Sequence, residues 1–406
     1  MSFLLKVGSA AGTGLLLAIV ASPTLAAGPN CGLSNGKPAT GDPIQIGAIV
    51  TASGVADISS GAKGAKAYFD CVNANGGING RPIAYTIEDD QTRPDKAAEL
   101  AKKLVQDKKV VALVGSSSLV DCIATSQYYQ QSGVISLMAA GVAPQCFNAT
   151  NIATLNGGPR YGLIGAAKYA VEKLGAKHLV CPQPSVPGAD WSCAGIGAYA
   201  KKAGVEFSTF VYDQASADND ALIQQILATG GDSVVYNGSP PTFVAFLAAA
   251  ERSDVGDKLK MLTPSPMYNA GMPKAVGPYW NDRLWVDIEF GPLDANGEDT
   301  ENYRAVMKAF HTEFDNLGEG GYLAARMVVQ ALLKLDPAKI DRESVTAAIQ
   351  NIQGYKSDIL CSEWSFGPKD ATARLGNRSG WIAQISDGGW KVNPGCVSTD
   401  ESLISK

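Results

Sequence analysis

Three apolar strand patterns decide the fold of this chain: IQIGAIV at 44–50, IAYTIE at 83–88 and VVALV at 110–114. A helical pattern at about 60–74 follows the first strand and ends at Asn75-Gly76-Gly77, a typical glycine stop signal for a helix. A second helical pattern runs from Pro94 to Asp107. Strands that alternate with helices over short turns predict a parallel sheet covered on both faces.

The same order of elements recurs later in the chain. Strand patterns begin at His178, Val205 and Ser233, offset by 134, 122 and 123 residues from the first three. Helical patterns lie between them at 193–203 and 219–228. We therefore predict an α/β protein with two doubly wound parallel-sheet lobes.

The remainder of the chain is too short to form a third lobe of this kind. It contains a strand pattern at 284–289, three helical patterns and a β-rich tail with three tryptophans. The helical patterns span 300–314, 321–335 and 342–349. This segment is expected to complete the first two lobes.

Composition narrows the function classes. The chain has 406 residues, of which 18% are charged, and its formal net charge is −5. Basic residues form no long run, so the footprint of a nucleic-acid-binding protein is absent from the sequence. Only two histidines occur, His178 and His311, far apart in sequence. We expect no metal site, no cofactor and no nucleic-acid partner.

The N-terminus is typical of an exported protein. Lys6 precedes an apolar stretch at 14–21, and small residues follow up to Ala26. This pattern predicts a signal peptide over residues 1–26 with cleavage near Ala26, and a periplasmic location for the mature chain. The residues before Cys31 are Gly-Pro-Asn, which differ from those that precede a lipidated cysteine, so no lipid anchor is expected.

All eight cysteines follow the predicted cleavage point, and their even number indicates four disulfides in an oxidising compartment. Eight cysteines allow 105 connectivities. We predict pairing between neighbouring cysteines, first of all the pairs Cys181–Cys193 and Cys361–Cys396, which close short loops. The other two predicted pairs are Cys122–Cys146 and Cys31–Cys71.

Ligand-binding residues are expected in the loops that follow the strands, because ligands of open α/β sheets bind outside the carboxyl ends of the strands. In the first lobe, these loops supply Ser53, Ser117 and Ser118. Serine hydroxyls and amides at a helix start suit a carboxylate, although serine is also a common helix cap whatever the function.

The second-lobe loops contain Asp190, Trp191, Ser239 and Tyr268. An aromatic ring and an acidic group could contact a ligand there. The alternative is structural: Trp191 would pack against the predicted Cys181–Cys193 bridge, and Tyr268 would belong to the core.

The most specific segment of the sequence is NANGGINGRP at 73–82, followed by a strand that ends in Asp89-Asp90. Further segments that belong with it are Ile46-Gly47 with Gly54, 61–70, 98–104, 110–115 and 321–325. In these residues the chain resembles type I periplasmic solute-binding proteins of ABC transporters, in the branched-chain amino-acid (Leu/Ile/Val-binding) family.

The resemblance implies two lobes that close on a small ligand about a hinge of three crossovers. It divides the chain into an N-terminal lobe of residues 43–157 plus 290–355 and a C-terminal lobe of residues 158–289 plus 356–400. It also implies a monomer that binds an amino acid or carboxylate and delivers it to permease subunits.

Carried over by position, the family's carboxylate site falls on the loop 116–119 and on Ala140 and Val142. The family's serine is Leu119 in this sequence, so Ser117 or Ser118 would have to act in its place. The second-lobe tyrosine positions fall near Pro187 and Ser239.

The family's glutamate, which holds the ligand ammonium, falls near Ser265. A buried ammonium without a carboxylate partner is costly. Either Asp190 or Asp121 supplies the charge, or the ligand lacks an ammonium and is an aromatic or aliphatic carboxylate.

We therefore expect a binding protein and not an enzyme, and the sequence has no nucleophile elbow, zinc-protease motif or phosphate-binding loop. One alternative is a sensor module of the same fold that reports to a signalling receptor. A secreted hydrolase that uses Ser118 and His311 is a further alternative, but it needs a serine–histidine contact.

Overall fold

Two separate β-sheets organise the protein. The computed structural model describes residues 29–54, 57–186, 188–214, 216–255, 258–367, 376–399 and 403. The predicted signal peptide, 1–26, lies outside these residues. Among the described residues, no helix is both long enough and apolar enough to cross a membrane.

The first sheet is parallel and has the strand order β2-β1-β3-β4-β5. Its strands are β1 Ile44–Val50, β2 Ile83–Asp89, β3 Ala112–Val114, β4 Ile135–Met138 and β5 Ile152–Thr154. The helices between them are α1 Ser60–Ala74, α2 Pro94–Lys102, α3 Asp121–Ser132 and α4 Pro144–Asn148. A π-helical turn, Lys103–Asp107, extends α2. Apolar clusters cover both faces of this sheet, as the burial of six of the seven residues of β1 requires.

The second sheet repeats this order. Its parallel strands are arranged β7-β6-β8-β9-β10, the same sequence of neighbours as in the first sheet. The strands are β6 His178–Pro184, β7 Glu206–Tyr212, β8 Ser233–Val235, β9 Lys260–Pro264 and β10 Leu284–Ile288. The helices are α5 Pro159–Glu172, α6 Ala189–Ala203, α7 Asn219–Ala228, α8 Pro240–Arg252 and α9 Met272–Val276. The prediction of two doubly wound lobes is confirmed.

The last part of the chain contributes to both lobes. Its elements are α10 Glu298–Ala309, α11 Asn316–Leu332, α12 Arg342–Gln350, β11 Ser379–Ser386, β12 Gly389–Val392 and β13 Val397–Ser398. The three helices contribute side chains to the apolar core of the first lobe. In contrast, β11 pairs antiparallel with β10, and β12 and β13 pair antiparallel with β11, so the second sheet is mixed at this edge.

One predicted boundary differs from the structure. We assigned residues from 356 onward to the second lobe, but Ile359, Trp364 and Phe366 are buried in the core of the first. The indole of Trp364 donates to the carbonyl of Thr154 at the end of β5. The third crossover therefore lies after Phe366.

The start of α11 also differs from the prediction. The helix begins at Asn316, five residues before the predicted start at 321, and the side chain of Asp315 accepts a hydrogen bond from the amide of Gly318. Gly321, in the second turn of the helix, allows close packing against α1. A Cβ at Gly321 would lie 1.7 Å from the carbonyl oxygen of Gly61.

All four predicted disulfides are present: Cys31–Cys71, Cys122–Cys146, Cys181–Cys193 and Cys361–Cys396. The first three lie within single lobes, and each of their cysteines is 1% exposed or less. The fourth lies at the surface beside the third crossover.

Candidate functional site

The reversal of strand order in the first lobe lies between β1 and β3, where the order β2-β1-β3-β4-β5 changes direction. Ligands of open α/β sheets bind at such a switch point, beyond the carboxyl ends of the strands. Two isolated bridges, Val50 with Ser117 and Ser117 with Ala140, hold the loops after β1, β3 and β4 side by side. The structure therefore brings Ser117 and Ala140 together.

Ser117 has an unusual environment at this switch point. It is fully buried, and its hydroxyl has no hydrogen-bond partner among the described residues. The first turn of α1 packs against it so closely that a Cβ at Gly61 would lie 2.9 Å from Ser117 Oγ and 2.6 Å from Ala139 Cβ. A helix N-terminus carries a partial positive charge. The unpaired hydroxyl and this helix end together form the candidate anion site.

Ser118 is used differently. Its hydroxyl donates to the buried carboxylate of Asp90, and it accepts from the amides of Val120 and Asp121 at the start of α3. Thr51 donates to the other oxygen of Asp90 at 2.9 Å. Ser118 thus acts as a helix cap within a closed network, the alternative that the sequence left open. No hydrogen bond joins it to His311 among the described residues.

The other first-lobe candidates lie around this point with less distinctive contacts. Ser53 is exposed and donates to Asp89 at 2.6 Å. The amide of Leu119 donates to Thr51 Oγ1 at 3.1 Å, and the side chain is half-buried. Val142 is half-buried beside Gly141, whose amide donates to the side chain of Asn156 at 2.8 Å.

In the second lobe, the corresponding switch point lies between β6 and β8. Ser239 follows β8 and begins α8 in a capping box with Thr242, and it also accepts from Gln214 at 2.9 Å. Tyr212 donates its hydroxyl to Tyr236 OH at 2.9 Å. The polar groups of these described residues are therefore paired with one another.

Trp191 lies between the lobes. Its ring stacks on Phe147 of α4 in the first lobe at a centroid distance of 6.2 Å, and the guanidinium of Arg160 lies 5.0 Å from the ring centroid. Arg160 also donates to the carbonyl of Trp191. Trp191 packs with the first-lobe cluster, whereas the Cys181–Cys193 bridge belongs to a different one. The packing of Trp191 on that bridge stays a prediction. Asp190 is exposed in the first turn of α6.

A second contact between the lobes involves Ser265, near which the resemblance places the family's glutamate. Its hydroxyl donates to Asn316 Oδ1 at 3.1 Å, and Asn316 in turn donates to Glu319 at 2.9 Å. Burial raises the pKa of Glu319 well above its usual value. Tyr268, on the same loop, is buried in the second core with its ring 5.2 Å from that of Trp390. The surroundings of Tyr268 are therefore those of the structural alternative, in which it belongs to the core.

Asp121, the other proposed ammonium partner, is fully buried and accepts from Thr125 and Tyr129 at 2.8 and 2.9 Å. Burial raises the pKa of Asp121 to about 6, since removal from water disfavours the charged form. Its second oxygen has no hydrogen-bond partner within the described ranges of the chain. Within this structure, the Asp121 carboxylate is therefore bound by side chains of its own helix, α3.

The hinge contains a buried carboxyl that the sequence analysis did not single out. Glu289 follows β10 and accepts from the amide of Gly158 at 2.6 Å, which connects the second crossover to the first. Asn377 donates to the carbonyl of Glu289 at 2.9 Å, which connects it to the third. Burial raises the pKa of Glu289 to about 7. No local motif marks this residue, because its role depends on three segments far apart in sequence.

Over the parts of the chain that the structure describes, no group of three or more His, Cys, Asp or Glu side chains could hold a metal ion.

The chain belongs to the periplasmic binding protein family, whose sequence pattern matches residues 43–389. Within this family it is a type I protein of the branched-chain amino-acid branch. The resemblance seen in the sequence is thereby confirmed. Its homologues and structural neighbours are binding proteins, not enzymes.

Among similar proteins, an amino acid binding protein of Pseudomonas aeruginosa is 27% identical over 334 residues, which cover 74% of this chain and 84% of the relative. A branched-chain amino acid transporter substrate binding protein of Streptococcus pneumoniae, solved with isoleucine, has a TM-score of 0.71 at 16% identity and covers 88% of this chain and 100% of its own. A solute binding protein of R. palustris, solved with benzoate, also has a TM-score of 0.71 at 16% identity, with 90% and 99% covered. These structures share the fold.

Proposed function

We propose that this protein is the extracytoplasmic substrate-binding component of a branched-chain amino-acid-type ABC transporter. It captures an amino acid or a small aromatic or aliphatic carboxylate between its lobes and delivers it to permease subunits. Residues 1–26 direct export to the periplasm and are removed. Membership of the family and the names of its relatives support this role.

The observation that carries the proposal is the unpartnered hydroxyl of Ser117 at the first-lobe switch point. A buried polar group without a partner costs roughly 1–3 kcal/mol, and a ligand oxygen would remove that cost on binding. The adjacent α1 N-terminus favours a negative charge at the same place. A carboxylate satisfies both requirements.

Closure of the lobes follows from contacts that a ligand can make only when both lobes reach it. Binding then shifts the population of the protein toward the closed form. The stacking of Trp191 on Phe147 and the hydrogen bond from Ser265 to Asn316 support such a closed arrangement. No bond in the ligand is made or broken in this role.

A thermal-shift screen tests the proposal. The panel contains the common amino acids, benzoate and other aromatic acids, and short aliphatic carboxylates. A ligand at about 100 times its dissociation constant adds about 2.7 kcal/mol of stability. Each positive result is then measured by isothermal titration, and failure of every compound to bind at micromolar or tighter affinity contradicts the proposal.

Substitution of Ser117 locates the site. Ser117→Ala is expected to weaken binding of the identified ligand about tenfold or more, because a hydrogen bond to a charged oxygen contributes roughly 1.5–3 kcal/mol. The melting temperature of the free protein should stay the same, since the hydroxyl has no partner to lose. Ser132→Ala, at the far end of α3, is the matched control and should leave the affinity unchanged.

A further inference from the structure

The fourth disulfide differs from the other three in where its two ends are anchored. Cys361 lies between Leu360 and Trp364, both of which are buried in the first-lobe core. Cys396 directly precedes β13, which pairs with β11 in the second sheet. The bridge therefore joins the two lobes covalently, whereas each of the other three joins elements of one lobe.

The position of this bridge coincides with the third crossover. The disulfide closes a ring with a sequence separation of 35 residues, and that ring contains the whole segment between Phe366 and Ser379. A hydrogen bond from Ser379 Oγ to Ser362 Oγ, 2.7 Å long, spans the same crossover. A covalent bond and a side-chain hydrogen bond thus hold its two ends together.

The other two crossovers have no such bond among the described residues. The first and second are connected through the hydrogen bond from Gly158 to Glu289, which can stretch or break as the lobes rotate. Rotation about a disulfide is possible, but separation of its ends is not. The pivot of any lobe movement must therefore stay close to the bridge.

We infer that the Cys361–Cys396 disulfide is an interlobe tether that fixes the pivot of the hinge and limits how far the ligand-free protein can open. A narrower range of open forms lowers the entropy that closure has to overcome. This inference uses the lobe rotation of the proposed function. It is tested without a ligand, so a failed ligand screen leaves it standing.

The bridge is also the accessible one. Cys396 is exposed and Cys361 is half-buried, whereas the six cysteines of the other bridges are at most 1% exposed. Treatment of the folded protein with a water-soluble phosphine should therefore reduce this bridge first. The phosphine is oxidised to its oxide with oxygen from water, and the disulfide gains two electrons and two protons to give two thiols. Alkylation and mass spectrometry then identify the modified cysteines.

The decisive comparison uses the double variant Cys361→Ser/Cys396→Ser. Small-angle scattering of the ligand-free variant is expected to show a larger radius of gyration than that of the unmodified protein. Amide exchange at the crossovers, 155–159, 289–292 and 376–379, should become about tenfold faster, while exchange in β1–β5 stays unchanged. The control Cys122→Ser/Cys146→Ser lies within the first lobe and should leave the radius of gyration of the folded protein unchanged.

Unchanged scattering and unchanged exchange at the crossovers in the double variant would overturn the inference. If that variant does not fold, the same two measurements are made on the folded protein after selective reduction and alkylation. Preferential reduction of one of the buried bridges, or a reduced hinge bridge without any change in radius of gyration, would overturn it as well.

Discussion

The two lobes share one strand order but differ at their switch points. In the first lobe, the loop after β3 contains Ser117, a buried hydroxyl that has no hydrogen-bond partner in the part of the chain that the structure describes. In the second lobe, the loop after β8 contains Ser239, which is paired with Thr242 and Gln214. The same topology therefore leaves one polar group for a ligand on the first lobe and satisfies its counterparts on the second. Under the proposed function, the first lobe would hold the charged end of the ligand and the second lobe would close over it.

The lobes also differ in what completes them. The first sheet is entirely parallel, and its core is covered by α10–α12 together with the segment up to Phe366. The second sheet ends in antiparallel strands, β11–β13. The predictions below test this division from the largest expected effect to the smallest.

Removal of the Trp364 side chain should have the largest effect. Trp364 is fully buried in the first-lobe core, and its indole donates to Thr154. Trp364→Ala is expected to lower the free energy of unfolding by roughly 3–5 kcal/mol, measured by urea denaturation. Amide exchange should accelerate in the first sheet and not in the second.

The matched control is Trp390→Ala in the second lobe. Trp390 is only half-buried, although its indole also donates to a carbonyl, that of Asn269 at 2.8 Å. Loss of the Trp390 side chain should lower the free energy of unfolding by less than loss of Trp364 does. It should accelerate amide exchange in the second sheet. If Trp364→Ala accelerated amide exchange in the second sheet instead, residues 356–366 would have to be assigned to the second lobe.

Glu289 connects the lobes and should make their stability depend on pH. The pKa of Glu289 is about 7 in the folded protein, above the ordinary value of 4.5, because burial disfavours the charged form. Between these values the unfolded chain loses its proton while the folded protein keeps it. The stabilisation that the protonated Glu289 contributes is therefore complete below about pH 4.5 and is lost as the pH rises through 7. The whole loss in the free energy of unfolding is about 3 kcal/mol.

Glu289→Gln removes this titration. Unfolding free energies measured from pH 4.5 to 8 should decline less steeply in the variant than in the unmodified protein, and at pH 8 the variant should be the more stable of the two. Glu343→Gln, at an exposed glutamate of α12, serves as the control. Parallel pH curves for Glu289→Gln and the unmodified protein would contradict the prediction.

Substitution of each of the two helix-capping serines should lower the free energy of unfolding, by amounts that differ modestly. Ser239→Ala removes a cap at the surface of the second lobe and should cost about 1 kcal/mol. Ser118→Ala removes a cap and also leaves an oxygen of the buried Asp90 without its partner, so about 2 kcal/mol is expected. Thermal or urea unfolding of both variants makes the comparison, and equal losses would show that the contact with Asp90 adds little.

Much of the architecture could be predicted from the order of apolar segments. The strands that begin at residues 44 and 178 were predictable because buried parallel strands are short apolar runs that glycine and asparagine turns separate. The disulfide pairs followed from proximity in sequence. The start of α11 was missed because glycines lower helix propensity, and only the packing of Gly321 against α1 explains their presence.

The candidate site could be predicted only in part. A glycine followed by three serines marked the loop after β3, but the sequence could not distinguish Ser117 from Ser118. One is the cap of α3 and the other has no partner, and this difference depends on where Asp90 and Gly61 lie in space.

By itself, the sequence determined the class of the protein: two α/β lobes, a family and eight cysteines placed for pairing within short distances. These features are local or repeat along the chain, so hydrophobic periodicity and turn residues are enough to show them. The tertiary structure alone decided which serine is unpaired, which lobe holds Trp364 and which disulfide joins the lobes. Each of these depends on segments tens to hundreds of residues apart, whose contacts form only when the chain packs around its two cores.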